Sequence, residues 1–334
     1  MSGIRFSFPP KVSETCKERF TYLPNVDSDA NLIELASHSA SVFSSELSPV
    51  HLQILQQFGY RIPLHNLPRP EYLLVEGLPL DDPAPFTPES GYAQPSCYPV
   101  ATATVLALAA LTGMLPVSYK NENAGHLLRN VVALPGSTQR GSHGSVPFSW
   151  HADNPHLLLP GESRQNSDPI MDSLFLFCIK NKEQAATSLI SVQDVLKYLS
   201  LEDQHELFKA QFTVSPPPTN QNSQEVCYDN LAILVQSQEG LHCRYDKGLI
   251  KREGLTAEAL RAIDNFDKAL DSVHHHRFVL QPGQCLVFNN LAMLHSRSGF
   301  TPLPNGEGRF LLRLYALKQK RRANLEHGYL LNGT

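Results

Sequence analysis

No stretch of this 334-residue chain is apolar for long enough to cross a bilayer. The most apolar run, VATATVLALAALTGML at 100–115, falls short of the roughly 20 residues a spanning helix needs. The opening MSGIRFSFPPKVSETCKERF has charges and prolines but no apolar centre, so a secretory leader is not expected. An excess of charge is lacking too. With 28 basic and 32 acidic residues the net charge is −4, which offers nothing to nucleic acid or to an anionic membrane. The six cysteines form no CxxC pair. They read as free thiols in a reducing cytoplasm rather than as a disulfide framework or a zinc site. The Gly- and Ser-rich stretch at 136–145 has neither a P-loop Lys-Ser/Thr nor a dinucleotide fingerprint, so no phosphate is assigned to it. Internal repeats and domain-separating linkers are absent as well. What is left, 42% hydrophobic and 18% charged, describes a globular protein able to build a large core.

Along the chain, 29–58 carries apolar residues at helical spacing, with Asp29 and Asn31 as cap candidates and a break at Pro49. EYLLVEGLP at 71–79 reads as a strand closed by a turn, and 100–115 as a core helix ending near Gly113. LLRNVVAL at 127–134 is a strand, followed by a loop and the strand that ends at His151. The polar segment 159–172 reads as a surface loop and a lid. SLFLFCI at 173–179 and TSLISV at 187–192 resemble paired strands. Helical patterns follow from 191 to 212 and over 258–273, the latter preceded by the cap candidate Thr256, with a loop at 215–224 between them. HRFVLQPGQCLVFNNLAMLHSR gives strand, turn and strand, and GRFLLRLYALK at 308–318 is a final strand. The expected fold is mainly β with helices: a double-stranded β-helix, or jelly roll, with N-terminal and inserted helices. It is expected as one domain over 1–334. Residues 1–70 form its helical start, 71–318 a core with a helical insert at about 190–275, and 319–334 a tail.

Two short motifs carry the chemistry. In Trp150–His151–Ala152–Asp153 the His and the carboxylate are two residues apart, so on a strand they share a face. A second imidazole, His295, arrives at the end of a distant apolar strand. Two imidazoles and one carboxylate on one side of a metal leave the other side open, the arrangement of non-haem Fe(II) oxygenases. Either motif alone has a bland reading: a hydrogen-bonded strand histidine, and a turn aspartate before Asn154–Pro155. The basic residues that follow shift the balance. Arg309 lies fourteen residues after His295 across a turn, and Arg313 four further on, an even spacing that keeps both on one face. Inward arginines on an apolar strand are costly unless each meets an anion. One suits the distal carboxylate of 2-oxoglutarate and the other a substrate carboxylate, each held by two parallel hydrogen bonds. His156 and His143 flank the motif as candidate substrate contacts, whereas the run His274–His275–His276–Arg277 reads as surface.

These residues resemble the clavaminate synthase-like branch of the Fe(II)/2-oxoglutarate oxygenases, within the taurine-dioxygenase-like superfamily. The resemblance runs from about 70 to 318 through LLVEGLP, WHADNPH, AATSL, PGQCLVFNNLAMLHSRSGF and GRFLLRLYAL. It implies His151, Asp153 and His295 as iron ligands, and hence as the catalytic centre. Arg309, helped by Thr187, is implied for 2-oxoglutarate, and Arg313 for the α-carboxylate of an amino acid. Asp246 matches a position where members acting on basic amino acids place an acid near the substrate. The sequence departs from the branch in three places. Asp153 replaces a common Glu, Arg129 stands where several members contact substrate through Gln, and Gly248 replaces a second acid. The leading expectation is hydroxylation of a C–H bond in a free L-amino acid or small derivative, using Fe(II), 2-oxoglutarate and O2. Desaturation, ring closure or epoxidation would use the same residues, and a non-catalytic jelly-roll binding protein is the rival from another class.

Overall fold

The computed structural model describes residues 3–22, 28–59, 70–137, 140–165, 167–220, 227–318 and 325–334. The chain starts with strand β1 (Gly3–Ser7) and helices α1 (Pro10–Thr21), α2 (Asp29–Glu46) and α3 (Pro49–Gly59). The break falls at Pro49 as expected, because proline is tolerated in a first turn and not inside a helix. The cap of α2 is Ser28, whose Oγ accepts the Asn31 N–H at 3.3 Å. Asp29 instead gives a carboxylate oxygen to the Leu127 N–H at 3.0 Å. Strand β2 (Tyr72–Glu76) precedes α4 (Pro99–Leu111), a helix buried on nearly all sides. Its first amides, Val100 and Ala101, donate to the two oxygens of Asp81, each at 2.9 Å. Gly113, at φ +72°, turns the chain directly into β3 (Met114–Tyr119), so the helix is shorter than its apolar run.

Then come β4 (Leu128–Val132), β5 (Phe148–His151), β6 (Ser173–Lys180) and β7 (Thr187–Ser191). The middle of the chain holds α5 (Val192–Leu196), α6 (Leu201–Phe208), β8 (Phe212–Val214), β9 (Tyr228–Leu231), β10 (Leu234–Ser237), β11 (Gly240–Cys243), β12 (Ile250–Lys251) and α7 (Ala257–Ser272). The insert expected to be helical thus also holds five short strands among its described residues. Its pieces are too short and polar for alternation to show in sequence. The expected loop at 215–224 is described only to 220. The Thr256 cap of α7 is as expected, its Oγ1 accepting the Ala259 N–H at 3.2 Å. Strands β13 (His276–Phe278), β14 (Cys285–Asn289), β15 (Met293–Arg297), β16 (Phe310–Lys318) and β17 (Leu330–Leu331) complete the chain. Of the expected tail, 319–324 lie outside the described residues, while Leu330–Leu331 pair in parallel with β3.

Two sheets matter for the site. The larger runs β1-β2-β14-β6-β16-β3-β17, with β4 also paired to β16; the smaller runs β13-β7-β15-β5. β6 and β7 therefore do not pair with each other, contrary to the expectation, but belong to different sheets. Strand β16 shows the layering by alternation. Leu311, Tyr315 and Leu317 pack into the core shared with the smaller sheet, while Phe310, Leu312, Leu314 and Ala316 pack against the helical layer of α1 to α4. Arg313 shares the parity of the first set, so it points between the sheets. No helix among the described residues is long and apolar enough to cross a membrane.

Candidate metal centre and active site

The smaller sheet brings the two histidines together. β15 pairs antiparallel with β5 so that His295 and His151 stand directly opposite, their rings 4.0 Å apart between centroids. Such pairs sit within side-chain contact on one face. Asp153 follows two residues after His151. Its backbone N–H is held by Asn290 Oδ1 at 3.0 Å, and Asn290 returns a bond to its carbonyl at 3.2 Å. Asp153 Oδ1 lies 3.4 Å from His151 Nε2 and 3.7 Å from His295 Nε2. The three donor atoms fall within 4.8 Å of one another, and no other such group of three exists among the described residues.

The donor set fits a divalent metal. Metal bonds of about 2.1 Å place neighbouring ligand atoms about 3 Å apart, close to these separations. His151 Nδ1 donates to the Ser149 carbonyl at 2.8 Å, which leaves Nε2 as the lone-pair donor. Burial, then the adjacent His151, pushes His295 down to about 3, so it is a neutral ligand near pH 7. Burial alone would raise the Asp153 carboxyl. Arg313, with His151 and His295 behind it, holds it far below the usual carboxylate range. Two imidazoles and one carboxylate with an open side are the facial arrangement suited to Fe(II).

Asp153 turns its other oxygen to the larger sheet. Oδ2 accepts from Arg313 Nη1 at 3.1 Å and from the Tyr315 hydroxyl at 2.9 Å. Arg313 also pairs with Glu122, which accepts from Tyr315 at 3.1 Å and from Asn154 Nδ2 at 2.8 Å. Against the cost of burial, Tyr315, Glu122 and Asp153 keep the Arg313 guanidinium above its usual value. Sequence reasoning missed Glu122 because it sits in the turn-forming stretch NENAG, which carries no motif. Tyr315 had a signal: it lies two residues after Arg313 on one strand, and so on the same face.

Arg309 immediately precedes β16 and lies with Thr187, His295 and Asp153 around one cleft. It is only 4% exposed, and its Nε has no hydrogen-bond partner among the described residues. Burial pushes its guanidinium down to about 10. Neighbouring Arg297 shares the orphaned Nε, but its two Nη atoms donate to the carbonyls of Gly141 at 2.8 Å and Val146 at 2.6 Å. Those bonds fix the 140–146 segment, whose Arg140, Gly141 and Ser142 wall a larger cavity of about 480 Å³ beside the metal ligands. Asp246 and Gly248 line the same cavity, with Asp246 Oδ1 accepting the Gly248 N–H at 2.8 Å. Arg129 lines it as well.

Three expectations need correction. The 159–172 loop does not line this cavity. It is anchored by a Leu158–Pro169 bridge and by Glu162, which pairs with the buried Arg244, so segments 140–142 and 217–219 form the walls instead. His156 does not reach the cavity either. After Asn154, at φ +51°, the chain buries His156 against Tyr228 and the C-terminal Gly333 carbonyl. His143 bonds the Val132 carbonyl at 3.3 Å and is structural. The run at 274–277 is on the surface, as expected, apart from the half-buried His276 in β13.

His156 has a consequence for stability. Burial pushes it down to about 4, against about 6.5 in an unfolded chain. Between these values the unfolded state binds a proton that the folded state does not. Stability therefore falls as pH drops through that window, at up to ~1.4 kcal/mol per pH unit. Urea unfolding at pH 7, 6 and 5 will show a shallower loss for His156→Gln than for the parent.

Comparison with known proteins adds a family match, two relatives and two solved structures. Residues 98–315 match the family described as taurine catabolism dioxygenase TauD, TfdA family. L-asparagine oxygenase of Streptomyces coelicolor is 27% identical over 270 residues, 78% of this chain and 75% of that one. Clavaminate synthase 2 of Streptomyces clavuligerus is 26% identical, covering 77% of each chain. Among solved structures, asparagine oxygenase in complex with Fe(II), 2S,3S-3-hydroxyasparagine and succinate superposes with a TM-score of 0.79 at 21% identity, covering 98% of both chains. The non-heme iron oxygenase OrfP with Fe and alpha-ketoglutaric acid gives a TM-score of 0.75 at 19% identity, over 98% and 99%. The family match begins at the buried helix α4 and ends at Tyr315, beside the carboxylate ligand, and on that span this chain belongs to the TauD, TfdA family of dioxygenases.

Proposed function

We propose that this Fe(II)- and 2-oxoglutarate-dependent oxygenase hydroxylates a C–H bond of a free L-amino acid or small amino-acid derivative. The observation that carries the reading is the Arg313–Glu122 pair beside Asp153. A cation and an anion side by side, in contact with a metal ligand, are complementary to the carboxylate and ammonium of an amino acid. In the resting protein they neutralise each other, and a substrate zwitterion exchanges one buried ion pair for two.

His151, Asp153 and His295 would hold the iron. Arg309, with the Thr187 hydroxyl, would receive the distal carboxylate of 2-oxoglutarate. Its burial, and its lack of a bonded partner at Nε, favour an anion arriving from outside. With both bound, O2 oxidises 2-oxoglutarate to succinate and CO2 and one oxygen atom is placed in the substrate C–H bond. The remaining work falls to the chain itself. Arg313 and Glu122 orient the substrate, the cavity excludes bulk water, and Asn290 keeps Asp153 aimed at the two histidines. The facing sheets are read as a double-stranded β-helix, and 1–334 as one oxygenase unit in the cytoplasm. The 98% coverage of both chains in the asparagine oxygenase match and the free state of all six cysteines support that reading.

Anaerobic Fe(II) plus 2-oxoglutarate is expected to give a weak visible charge-transfer band, and a panel of amino acids will identify those that stimulate succinate release. His151→Ala will lose both signals. Full 2-oxoglutarate turnover in that variant would refute the metal assignment.

A further inference from the structure

Arg129 is a buried cation that the metal site and the Arg313–Glu122 pair leave incompletely neutralised. It stands on β4 directly opposite Arg313 on β16, so two guanidinium groups share one face of an antiparallel pair. Like charges in that position repel. Both reach for the same oxygen: Arg129 Nη1 lies 3.6 Å from Glu122 Oε1, which also accepts from Arg313 and Tyr315. Arg129 is 6% exposed, lines the 480 Å³ cavity, and its Nε has no hydrogen-bond partner among the described residues. Burial, then Arg313, pulls its guanidinium below the usual arginine value, and Glu122 offsets this only in part.

The charge balance then selects a substrate. Once Asp153 serves a metal, Arg129 and Arg313 have the single carboxylate of Glu122 between them. A neutral amino acid brings one charge of each sign and leaves one buried guanidinium unmatched. An amino acid with an acidic side chain brings one net negative charge and closes the balance. The two guanidinium groups meet at one carboxylate oxygen, a spacing that the two carboxylates of a short acidic amino acid span. Asp246, which lines the same cavity, does not argue for a cation. Its Oδ1 is bonded to the Gly248 N–H, and Arg140 lies near the same glycine: a Cβ on Gly248 would be 3.4 Å from that oxygen and 3.8 Å from Arg140 Nη1.

We propose that Arg129 is the specificity-determining residue of this oxygenase and that it takes the side-chain carboxylate of a dicarboxylic α-amino acid, while Arg313 takes the α-carboxylate. The proposal rests on the amino-acid oxygenase reading given above.

The test is calorimetric binding of aspartate, glutamate, their amides, lysine and N-acetylated aspartate to the metal-free protein and to its anaerobic Fe(II)–2-oxoglutarate complex. A hydroxylation assay is run beside it. In the Fe(II)–2-oxoglutarate complex the parent is expected to bind an acidic amino acid at least tenfold more tightly than the matching amide, since bonds to a buried charge are the strong ones; in the metal-free protein, where Asp153 still pairs with Arg313, the ratio will be smaller. R129Q will abolish or invert that ratio, and R129K, which keeps the charge, will retain most of it. Tighter binding of the amide, of lysine or of the N-acetylated acid by the parent overturns the proposal, as does an unchanged ratio in R129Q. Loss of the visible band would instead count against the iron reading, and Arg129's role would then stand or fall on whether R129Q lowers the acid-to-amide ratio in the metal-free protein.

Discussion

Asp153→Ala will lose its metal and at least three orders of magnitude of substrate-dependent 2-oxoglutarate turnover. Asp153 is the one anionic donor of the trio, and two neutral imidazoles on one side of a cation hold it weakly. The substitution also acts on the protein without metal. Asp153 Oδ2 is the acceptor for Arg313 and for the Tyr315 hydroxyl, both buried between the sheets. Removing it leaves Arg313 and Arg129 with Glu122 alone. Breaking a buried pair from one side costs about 3–5 kcal/mol because a charge is left uncompensated. Asp153→Glu keeps the carboxylate and should keep much of the metal affinity, with the rest set by how the longer arm fits beside His295. The measurements are metal content after dialysis against limiting Fe(II), and the metal-free melting temperature. The Ala variant should fall in both, while the Glu variant should fall mainly in turnover. An Ala variant that binds iron like the parent would remove Asp153 from the site.

The cluster of His151, Asp153 and His295 was legible in sequence because its geometry is local or strand-periodic. His151 and Asp153 share a face by parity, and an apolar strand running into His295 announces a sheet position. That Arg309 and Arg313 reach the same cleft was legible for the same reason. What failed was whatever depended on how distant segments pack. Glu122 lies in a turn with no periodicity, and only folding sets it against Arg313. Polarity marked 159–172 as a loop but said nothing of which side of the protein it covers; Arg244, fully buried, draws it away from the cavity. His156 was read as a neighbour of the site because it is close in sequence, and the left-handed turn at Asn154 reverses that inference. β6 and β7 are adjacent and similarly apolar, yet they serve opposite sheets. Strand pairing is chosen by non-local contacts, and hydrophobic content alone does not reveal the partner.

Arg309 should show the opposite relation between activity and stability. Replacing it with Met will raise the KM for 2-oxoglutarate about 100-fold or more and stabilise the metal-free protein. The loss follows from isolation. Glu183, the acidic group acting on Arg309, bonds the backbone N–H groups of Leu303 and Arg309, at 3.2 and 2.8 Å, rather than the guanidinium. Arg297 is the poorer partner for the anion: both of its Nη atoms bond the Gly141 and Val146 carbonyls, and only its Nε, like that of Arg309, lacks a partner among the described residues. A buried carboxylate held through two parallel bonds to one guanidinium therefore loses its whole counter-charge. Arg309→Lys, a point charge without the fork, should recover about tenfold of that loss. The gain in stability has the same origin. A guanidinium kept dry and incompletely bonded until 2-oxoglutarate arrives destabilises the resting fold, and an apolar side chain of similar length does not. The Arg309→Met variant should then melt a few degrees above the parent when 2-oxoglutarate is absent. The order should reverse once the cosubstrate is saturating, since only the parent gains binding free energy. If the parent melts higher under both conditions, Arg309 is a structural ion-pair residue and its place in the cosubstrate site is lost.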